Sequence, residues 1–475
     1  MKKKIVLLFL FIGMSFCVQS QEEIATFHNV LKTSSSNIKD VIPIVNSKND
    51  DLSIFIADAK NVYGYLFDSS FSLKNKLSSV EKSRKYKILI GNSVSENDDY
   101  RIFLSNKSKD HFTSINFSFN NQKTDYKEFT LSHPEETFIQ TVTSKNQFYL
   151  ISASKAFNSL YIYTFDENGT PKRNRIDLRG FGFFNYRGKN SSLVNLLIKS
   201  SVLKKIEENT PNSIETTSES RKMYLKDGTI IFTFDENKER TQILKIALKT
   251  FVPSVDQIKK PLQQIKSSKK KTNSYINGDY IFSLATTKNI FVIDVINLQT
   301  KQIIKQFAAT KEEKILFKNT PIIQEGGFYD NYRELEKTKK FLRKISSGKV
   351  GISVQKYNSQ YHMTIGGYVE QRSSGMMFGL GIPVASFGNV SFFFNPTQFA
   401  FDAYANTKST RIEGLFDAKF NHIKGEINDN AFDTMKTYST NSDVTNIVFK
   451  YKDYFIQGKY AYSSKTYTFR KFTTN

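Results

Sequence analysis

The chain has 475 residues, with 39% hydrophobic and 14% aromatic residues, and this composition excludes a disordered protein. A single cysteine excludes a disulfide-stapled scaffold, and 42 Phe and 24 Tyr make up for the absence of Trp. The formal net charge of +23 favours an anionic partner such as lipid head groups, acidic polysaccharide or nucleic acid, although a solvated Lys-rich surface gives the same charge.

The first twenty residues have the pattern of a secretory signal peptide. A positive region, Lys2 to Lys4, precedes the apolar run Ile5 to Phe16, which is too short to span a bilayer comfortably. Val18 and Ser20 then supply small or moderately small residues before a cleavage site. We therefore expect cleavage after Ser20, which leaves Gln21 as the first mature residue, a net charge of +20 and no transmembrane span.

Cys17 is the one cysteine, and its place beside the apolar run raises the question of a lipid anchor. Phe16 puts a bulky ring where a bacterial lipobox has a small residue, so a lipoprotein is not favoured. Cleavage after Ser20 also removes Cys17, and no thiol is then left for disulfides, zinc or catalysis. We expect the mature protein in the periplasm or on the outer surface of a Gram-negative bacterium.

After a lead-in segment, residues 21–52, one pattern recurs along the chain: alternating apolar and aromatic residues, then Asp or Asn, then a polar turn and a return strand. The turn residues are Asp68, Asn120, Asp166, Asp235 and Asp294, with a further copy predicted at Asp402. Each copy predicts a β-hairpin, because a short Asp or Asn side chain can cap the backbone of a turn. The first five lie 46 to 69 residues apart, a spacing that suits four-stranded repeats.

This rhythm resembles that of β-propeller proteins and covers most of the mature chain, but it carries no family signature. The WD dipeptide is impossible without Trp, and the glycine pairs Gly326-Gly327 and Gly366-Gly367 do not recur with kelch spacing. The resemblance implies an all-β fold, a six- or seven-bladed β-propeller over residues 53–475. Tandem β-sandwich domains would give similar short strands and turns, and they remain the alternative.

Three segments interrupt the strand pattern. Ser191 to Glu208 and Asn331 to Ile345 have helix-like spacing and predict helical insertions near 191–208 and 331–345. Insertions on a rigid scaffold often carry binding, although a helix can equally cover a sheet edge. The basic stretch Lys259 to Lys271 predicts a solvated connector or a contact with an anionic surface. Nucleic acid is not favoured there, because the stretch contains no stacking aromatic residue.

Two further segments lie near the C-terminus. The dense apolar run that begins at Met376 predicts buried inner strands of the closing blades. The alternating segment from Tyr454 predicts a terminal hairpin that closes the ring or offers an interaction surface.

The sequence contains no catalytic, cofactor-binding or metal-binding motif to which a site residue could be assigned. The five histidines are scattered along the chain: His28, His111, His133, His362 and His422. Neighbouring carboxylates in a strand point to opposite faces and do not form an acid/base pair. The turn Asp166-Glu167-Asn168-Gly169 is one ligand short of a calcium loop. We therefore expect no catalytic residue, cofactor or metal.

The predicted function is that of a non-enzymatic binding or scaffold protein of the bacterial cell envelope. It would recognise a protein or an anionic glycan through a propeller face. The alternative is a propeller enzyme that acts on polysaccharide with carboxylates in its central channel. A cluster of three or more inward-facing Asp, Glu, His or Tyr side chains in a deep channel would favour the enzyme, and helices that cover the channel mouth would favour the scaffold.

The signal peptide leads to a direct test. Mass spectrometry of the mature protein should find Gln21 at the N-terminus, as such or cyclised to pyroglutamate, because the small residue Ser20 precedes the cleaved bond. A retained Met1, or a lipid on Cys17, would contradict this prediction.

Overall fold

The computed structural model of the protein describes residues 21–29, 40–58, 60–130, 135–154, 156–198, 203–326, 332–369, 395–438, 444–461 and 463–474. The chain divides into two compact units, one of residues 33–427 and one built from both chain ends, 1–32 and 428–475. Among the described helices, none combines the length and the apolar character that crossing a membrane requires. The predicted signal peptide and Cys17 lie outside the described residues.

The first strand of the chain, β1 (Gln21–His28), belongs to the smaller unit. The larger unit begins with three antiparallel meanders. Sheet 1 contains β2 (Asp40–Val45), β3 (Leu52–Ala57), β4 (Val62–Phe67) and β5 (Leu73–Ser78). Sheet 2 contains β6 (Ile88–Val94), β7 (Tyr100–Ser105), β8 (His111–Ser118) and β9 (Lys123–Thr130). Sheet 3 contains β10 (Glu136–Ser144), β11 (Gln147–Ser154), β12 (Ser159–Phe165) and β13 (Pro171–Asp177). Within each sheet, every strand pairs with the next one in the sequence.

A short hairpin and a helix separate sheet 3 from sheet 4. These are β14 (Phe183–Phe184), β15 (Asn190–Ser191) and α1 (Leu193–Ile198). Sheet 4 contains β16 (Lys204–Ile206), β17 (Arg221–Lys226), β18 (Thr229–Phe234), β19 (Arg240–Ala247) and β20 (Pro253–Lys259), with helix α2 (Ile214–Thr217) between β16 and β17. Strand β16 pairs with β17 in parallel, whereas the other pairs are antiparallel.

Sheets 5 and 6 complete the described part of the larger unit. A 3₁₀ turn (Ser267–Lys269) precedes sheet 5, which contains β21 (Lys271–Asn277), β22 (Tyr280–Thr286), β23 (Ile290–Asn297) and β24 (Ile303–Thr310). Sheet 6 contains β25 (Ile322–Gln324), β26 (Arg333–Leu335), β27 (Lys349–Tyr357), β28 (Gln360–Tyr368), β29 (Thr410–Phe416) and β30 (His422–Ile423). Its insertions are helices α3 (Thr338–Ser347) and α4 (Pro396–Ala405), and its strand order is β26-β25-β29-β28-β27 with β30 beside β29.

The hydrophobic cores lie between consecutive sheets. One cluster joins sheets 1 and 2 through residues such as Phe55 and Ile115. The next joins sheets 2 and 3 through Phe103 and Phe148, whose stacked rings have centroids 4.2 Å apart. Further clusters join sheet 3 to sheet 4, and sheets 4, 5 and 6 to one another. Sheet 2 therefore buries one face against each neighbouring sheet.

The sequence explains this packing. Strands in the middle of a meander are apolar on both faces, as in the wholly buried VYGYLF of β4, because a sheet covers each side. The fourth strands are polar and partly exposed, as in LKNKLS of β5 and PKRNRID of β13, because they form the sheet edge. Charged residues on an edge strand also hinder pairing with other chains.

These observations confirm the all-β fold and the β-propeller predicted from the rhythm of the sequence. Six sheets of at least four strands follow one another in the described part of the larger unit. Each sheet shares a core with the next one. In tandem sandwiches, Greek-key connections would carry strands back and forth between two sheets. Here each sheet is completed before the next one begins.

The smaller unit contains one four-stranded sheet and a helix in its described part. Sheet 7 has the order β1-β33-β32-β31, with β31 (Val444–Tyr451), β32 (Tyr454–Ala461) and β33 (Thr466–Phe472), and α5 spans Ala431–Tyr438. The predicted terminal hairpin from Tyr454 is thus correct. The segment 21–52, predicted as a lead-in, contains strands β1 and β2. The edge strand β1 buries mainly Phe27, and one buried side chain leaves little periodic signal in a sequence.

The predicted turn residues occupy three different kinds of position. Asp68, Asn120 and Asp166 each lie in the turn between the third and fourth strands of their sheets, as expected of a repeat. Asp235 instead lies between the second and third antiparallel strands of sheet 4. Asp294 is wrong as a turn residue, because it lies inside β23, where its carboxylate accepts a 2.6 Å hydrogen bond from a glutamine amide of β24.

The turn chemistry separates these cases. Asp68 Oδ1 accepts the N–H groups of Ser70 and Ser72, at 2.9 and 3.0 Å, and Asp166 Oδ1 accepts that of Thr170 at 2.6 Å. These contacts are local in sequence, so a pattern of neighbouring residues predicts them.

The helical insertions are shorter than predicted. The segment Ser191 to Glu208 is helical at α1 and extended at β16, because Lys204–Ile206 has a strand partner in β17. The segment Asn331 to Ile345 contains β26 before α3 begins at Thr338. The helix-like spacing does not reveal these strands, because their partners β17 and β25 lie outside the two segments.

The predicted hairpin at Asp402 is also wrong. Asp402 lies in helix α4, where Pro396 occupies the first turn and the Asn395 side chain accepts the N–H of Gln398 at 3.1 Å. These are the features of a helix N-cap, and they favour a helix here although the phenylalanine-rich sequence resembles a strand. The apolar run from Met376 lies outside the described residues up to position 394.

Close packing between sheets 2 and 3 gives a test of the fold. A Cβ atom added at Gly91, in β6, would lie 2.1 Å from a ring carbon of Phe148, which stacks on Phe103 and cannot retreat. We expect Gly91→Ala to lower the free energy of unfolding by about 1–3 kcal/mol in urea denaturation. Gly180→Ala is the control, because no heavy atom lies within 4 Å of its Cβ position. Equal stabilities of the two variants would contradict this packing.

Candidate functional site

A buried ion cluster lies where sheet 4 meets sheet 5. The carboxylate of Asp235, at the end of β18, lies 3.1 Å from Lys222 Nζ and 3.0 Å from Lys260 Nζ, and all three side chains are fully buried. The hydroxyls of Thr241 and Ser274 donate to the same carboxylate at 2.7 and 2.8 Å. Burial alone would raise the pKa of Asp235, but the two ammonium groups and the hydroxyls hold it below its ordinary value.

The two buried ammonium groups also use their remaining donors. Lys260 Nζ donates to the carbonyl groups of Asp235 and Asn237, at 2.9 and 2.8 Å. Lys222 Nζ donates to the Glu219 carbonyl at 2.7 Å and to Asn273 Oδ1 at 2.8 Å. Burial lowers the pKa of Lys260 to about 8, although Asp235 opposes this shift. The cluster thereby fixes the backbone of the β18–β19 turn against the start of sheet 5.

The segment between β20 and β21 is attached to the same turn. Lys270 Nζ lies 2.9 Å from Glu239 Oε2, and the Glu239 carbonyl accepts from Lys260 N and Gln263 Nε2, both at 3.0 Å. Lys260 and Lys270 are 1% and 2% exposed. The prediction of a solvated connector from Lys259 to Lys271 therefore needs correction for these two lysines.

The β14–β15 hairpin packs beside this turn. The side-chain amide of Gln242, in β19, binds the backbone of Phe184 twice: the Phe184 N–H donates to Oε1 at 2.8 Å, and Nε2 donates to the Phe184 carbonyl at 2.7 Å. Asn237 Nδ2 donates to the Asn185 carbonyl at 3.4 Å, and Phe183 is buried against sheet 4. The hairpin is therefore anchored at its base and near its tip.

Three segments together form a surface that we call the basic loop face: the hairpin tip 185–189, the turn 235–240 and the connector 259–271. Its exposed or partly exposed cations are Arg187, Lys189, Lys238, Arg240, Lys259, Lys266, Lys269 and Lys271. Its acidic side chains are turned towards buried partners. Asp235 binds the two buried lysines, Glu236 binds Arg221, and Glu239 binds Lys270. The face therefore carries a local excess of positive charge.

Lys238 and Lys271 show this excess most directly. In the part of the chain that the structure describes, neither ammonium group has an acceptor within hydrogen-bond distance. Partial burial lowers the pKa of Lys238, and the positive charge of Lys271 lowers it further, although the carboxylates of Asp235 and Glu236 oppose this shift. The two neighbouring cations repel each other, and an anion between them would relieve that repulsion.

The opposite end of sheets 4 and 5 has a different charge pattern. Lys226 Nζ lies 2.6 Å from Asp279 Oδ1, and Lys245 and Lys301 lie 2.9 and 2.8 Å from Asp256 Oδ2. Their charges are thus matched by carboxylates across neighbouring strands. Among the described residues, none of the eight exposed or partly exposed cations of the basic loop face forms such an ion pair, so these two ends differ in how their cations are matched.

The segment between β16 and β17 packs against the first strands of sheets 5 and 6. Gly351, in β27, leaves no room for a Cβ atom, which would lie 2.9 Å from Ser218 N at the end of α2. Asn212 Nδ2 donates to Tyr275 Oη at 3.2 Å, and Asn277 Nδ2 donates to Asn209 Oδ1 at 2.9 Å. This inserted segment is therefore part of the packed scaffold.

Carboxylates of the inserted segment hold it in place. Glu207 accepts from Thr397 Oγ1 and Glu208 from the Gly278 N–H. Glu215 Oε1 accepts from Thr407 Oγ1 at 3.1 Å, and Glu219 Oε1 lies 3.0 Å from Lys349 Nζ. These four acids are bound to sheets 5 and 6 and to the region of α4. These contacts could not be predicted from neighbouring residues, because every partner is distant along the chain.

A second polar cluster lies on sheet 6. Glu413 accepts from Arg411 Nε at 3.0 Å and lies 2.9 Å from His362 Nε2, and Arg411 Nη1 lies 2.7 Å from Glu325 Oε2. Burial alone would raise the pKa of Glu413, but His362 and Arg411 lower it to about 2. The guanidinium group between the two carboxylates does not suit a cation site. Among the described residues, no group of three or more His, Cys, Asp or Glu side chains could hold a metal ion.

No protein-family model matches the chain, and no curated protein matches it. Similar solved structures include the β-propeller domain of Nup133 from Vanderwaltozyma polyspora, with 12% identity, a TM-score of 0.33, and coverage of 89% of this chain and 91% of that chain. The Dos1 propeller has 10% identity, a TM-score of 0.32, and coverage of 92% and 77%. Oligogalacturonate lyase in complex with manganese has 8% identity, a TM-score of 0.33, and coverage of 96% and 98%. Likenesses this weak do not indicate what the chain binds or catalyses.

The buried cluster gives a quantitative test. Asp235→Asn keeps the size of the side chain but leaves two buried ammonium groups without a counter-charge, so we expect a loss of about 3–5 kcal/mol in the free energy of unfolding. Asp227→Asn is the matched control in the exposed β17–β18 turn, where the positive φ of 48° suits Asn and the change should stay within about 0.5 kcal/mol. Urea denaturation measures both, and a loss at Asp235 no larger than at Asp227 would contradict the structural role of the cluster.

Proposed function

We propose that the protein is an exported binding protein of the bacterial cell envelope, which holds an anionic partner on its basic loop face and does not act on it as an enzyme. The observation that carries this proposal is the pair Lys238 and Lys271, two neighbouring cations without acceptors among the described residues, on a scaffold fixed by Asp235. A rigid cationic surface attracts anions over long range and loses little conformational entropy on binding.

The N-terminal sequence supports the proposed location. Lys2 to Lys4, the apolar run Ile5 to Phe16 and Ser20 have the pattern of a cleaved signal peptide. In the periplasm or on the outer surface, abundant anions include lipid head groups and acidic glycans. A protein with an acidic surface would also fit the charge of the face.

The polysaccharide-acting enzyme is supported less well. It would need acidic side chains on the inner strands that are free to reach a substrate. Glu207, Glu208, Glu215 and Glu219 lie beside the first strands of sheets 5 and 6, but each is bound to a hydroxyl, an amide or an ammonium group of the scaffold. Their role in the proposal is to hold the inserted segment in place.

Charge reversal tests the proposal. Lys271→Glu and Lys189→Glu change exposed side chains of the basic loop face, and Lys249→Glu makes the same change in the exposed β19–β20 turn at the opposite end of sheet 4. Each cation near an anionic surface contributes about 1 kcal/mol, so each of the first two variants should bind at least about tenfold more weakly.

Co-sedimentation of the mature protein with cell envelopes of a Gram-negative bacterium, at several salt concentrations, measures this effect. Added salt should weaken binding of the wild type more steeply than binding of the two face variants, because screening acts on charges that those variants lack. Lys249→Glu should bind as the wild type does. If all three variants bind equally well, the basic loop face is not the binding surface.

A further inference from the structure

We infer that the tip of the β14–β15 hairpin is a sugar subsite, at which Tyr186 stacks on a residue of an acidic polysaccharide while neighbouring lysines bind its acid groups. This inference rests on the proposed function and names the class of anion that the basic loop face recognises. Tyr186 is 59% exposed and lies between the buried base of the hairpin and the cations of the tip.

The hairpin tip is held in one conformation by its own hydrogen bonds. Asn185 Oδ1 accepts the N–H groups of Arg187 and Lys189, at 2.9 and 3.2 Å, and the Asn185 N–H donates to the Lys189 carbonyl at 2.9 Å. Gly188 supplies the positive φ of 76° that the turn requires, and its N–H donates to the Asn185 carbonyl at 2.9 Å. Together with the hydrogen bonds of Phe184 and Asn185 to sheet 4, these contacts fix the backbone that carries Tyr186 before any ligand binds.

A preformed aromatic side chain suits recognition of a sugar ring. Tyrosine has few rotatable bonds, so it offers a large contact area at low entropic cost, and its hydroxyl can form a hydrogen bond at the edge of that area. The guanidinium carbon of Arg187 lies 5.1 Å from the centre of the Tyr186 ring, a cation–π contact that steadies the ring. Over half of the side chain still remains exposed to a ligand.

The hairpin tip lies beside the turn that carries Lys238. A Cβ atom on Gly188 would lie 3.6 Å from Asn237 Nδ2, so the hairpin tip touches the turn that carries Lys238. Lys271 lies close enough to Lys238 to lower its pKa. A chain that stacks on Tyr186 can therefore continue towards the turn and the connector that carry these lysines. Several ammonium groups beside one aromatic ring match a polymer that has both sugar rings and acid groups.

The composition of the face favours a polysaccharide over other polyanions. Insertion into a membrane requires several exposed apolar side chains, and Tyr186 is the one large exposed hydrophobic residue within the described residues of this face. Single-stranded nucleic acid is bound by successive aromatic residues that stack on successive bases, and here a single ring is present among many cations. One stacking ring beside separate cations is the pattern that an acidic sugar polymer needs.

Binding of defined polymers to the mature protein tests this inference. The probes are alginate as a carboxylated polysaccharide, dextran sulfate as a sulfated one and neutral dextran, with phosphatidylglycerol vesicles and single-stranded DNA as other polyanions. Biolayer interferometry measures the affinity for each. We expect the wild type to bind alginate or dextran sulfate more tightly than vesicles or DNA, and not to bind neutral dextran. Tighter binding to vesicles or DNA would overturn the inference.

Variants of Tyr186 test the stacking contact. Tyr186→Ala should weaken binding to the preferred polysaccharide about tenfold, as loss of a stacking contact does, with an unchanged salt dependence because no charge is lost. Tyr186→Phe keeps the ring and should bind within about twofold of the wild type. Tyr332→Ala is the matched control, since Tyr332 is 55% exposed on sheet 6, and it should have no effect.

The outcomes separate the subsite from the proposed function. If Tyr186→Ala binds as the wild type does while Lys271→Glu still weakens binding, the hairpin subsite is wrong and the basic loop face remains the binding surface. If neither substitution changes the affinity for any probe, both ideas fail. A loss at both positions, largest for alginate or for dextran sulfate, supports the subsite and identifies the acid group as carboxylate or sulfate.

Discussion

The carboxylate of Asp235 is the contact on which the candidate site depends. Two ammonium groups cannot be buried side by side without a counter-charge, and Asp235 supplies it to Lys222 from β17 and to Lys260 after β20. Because a hydroxyl of β21 binds the same carboxylate, this contact also joins sheet 4 to sheet 5. The turn and the connector that carry the exposed lysines are thus fixed by charges inside the protein, and their cations do not have to be held in place by a ligand.

Lysines in this region therefore have two different roles. Lys222, Lys260 and Lys270 are buried and bind carboxylates or carbonyl groups, whereas lysines beside them in the sequence, such as Lys259 and Lys271, are exposed. Glu236 and Glu239 bind the buried cations Arg221 and Lys270, and they are too few to neutralise the cations of the surface. The result is a concentration of positive charge that the free protein maintains at the cost of repulsion, as functional surfaces commonly do at some expense of stability.

The sequence alone predicted the features that depend on neighbouring residues. Turns at Asp68 and Asp166 follow from side-chain contacts within four residues, and the alternation of apolar residues predicted the strands of the meanders. Asp294 has the same local pattern but lies inside a strand, because pairing with distant strands outweighs a turn preference. The fold class was therefore predictable, and the position of individual turns was predictable in part.

The candidate site could not be predicted from the sequence, because it too depends on contacts between residues that are distant along the chain. In the run from Lys259 to Lys271, buried and exposed lysines look alike, and only their partners Asp235 and Glu239, more than twenty residues earlier, distinguish them. The hairpin tip gave no periodic signal, since its two strands have two residues each. A tyrosine followed by arginine and glycine, Tyr186-Arg187-Gly188, was the one local sign that could have drawn attention to it.

The pairing of β1 with β33 affects the order in which the protein can be completed. Because synthesis runs from the N-terminus, Gln21 is made more than four hundred residues before Phe472, yet these two residues face each other in sheet 7. During synthesis the first strand has no partner for more than four hundred residues, while each sheet of the larger unit can form as soon as its own strands emerge. A chain that stops short of β33 would leave β1 without its neighbour, so β1 can take its place in sheet 7 only after β33 has been made.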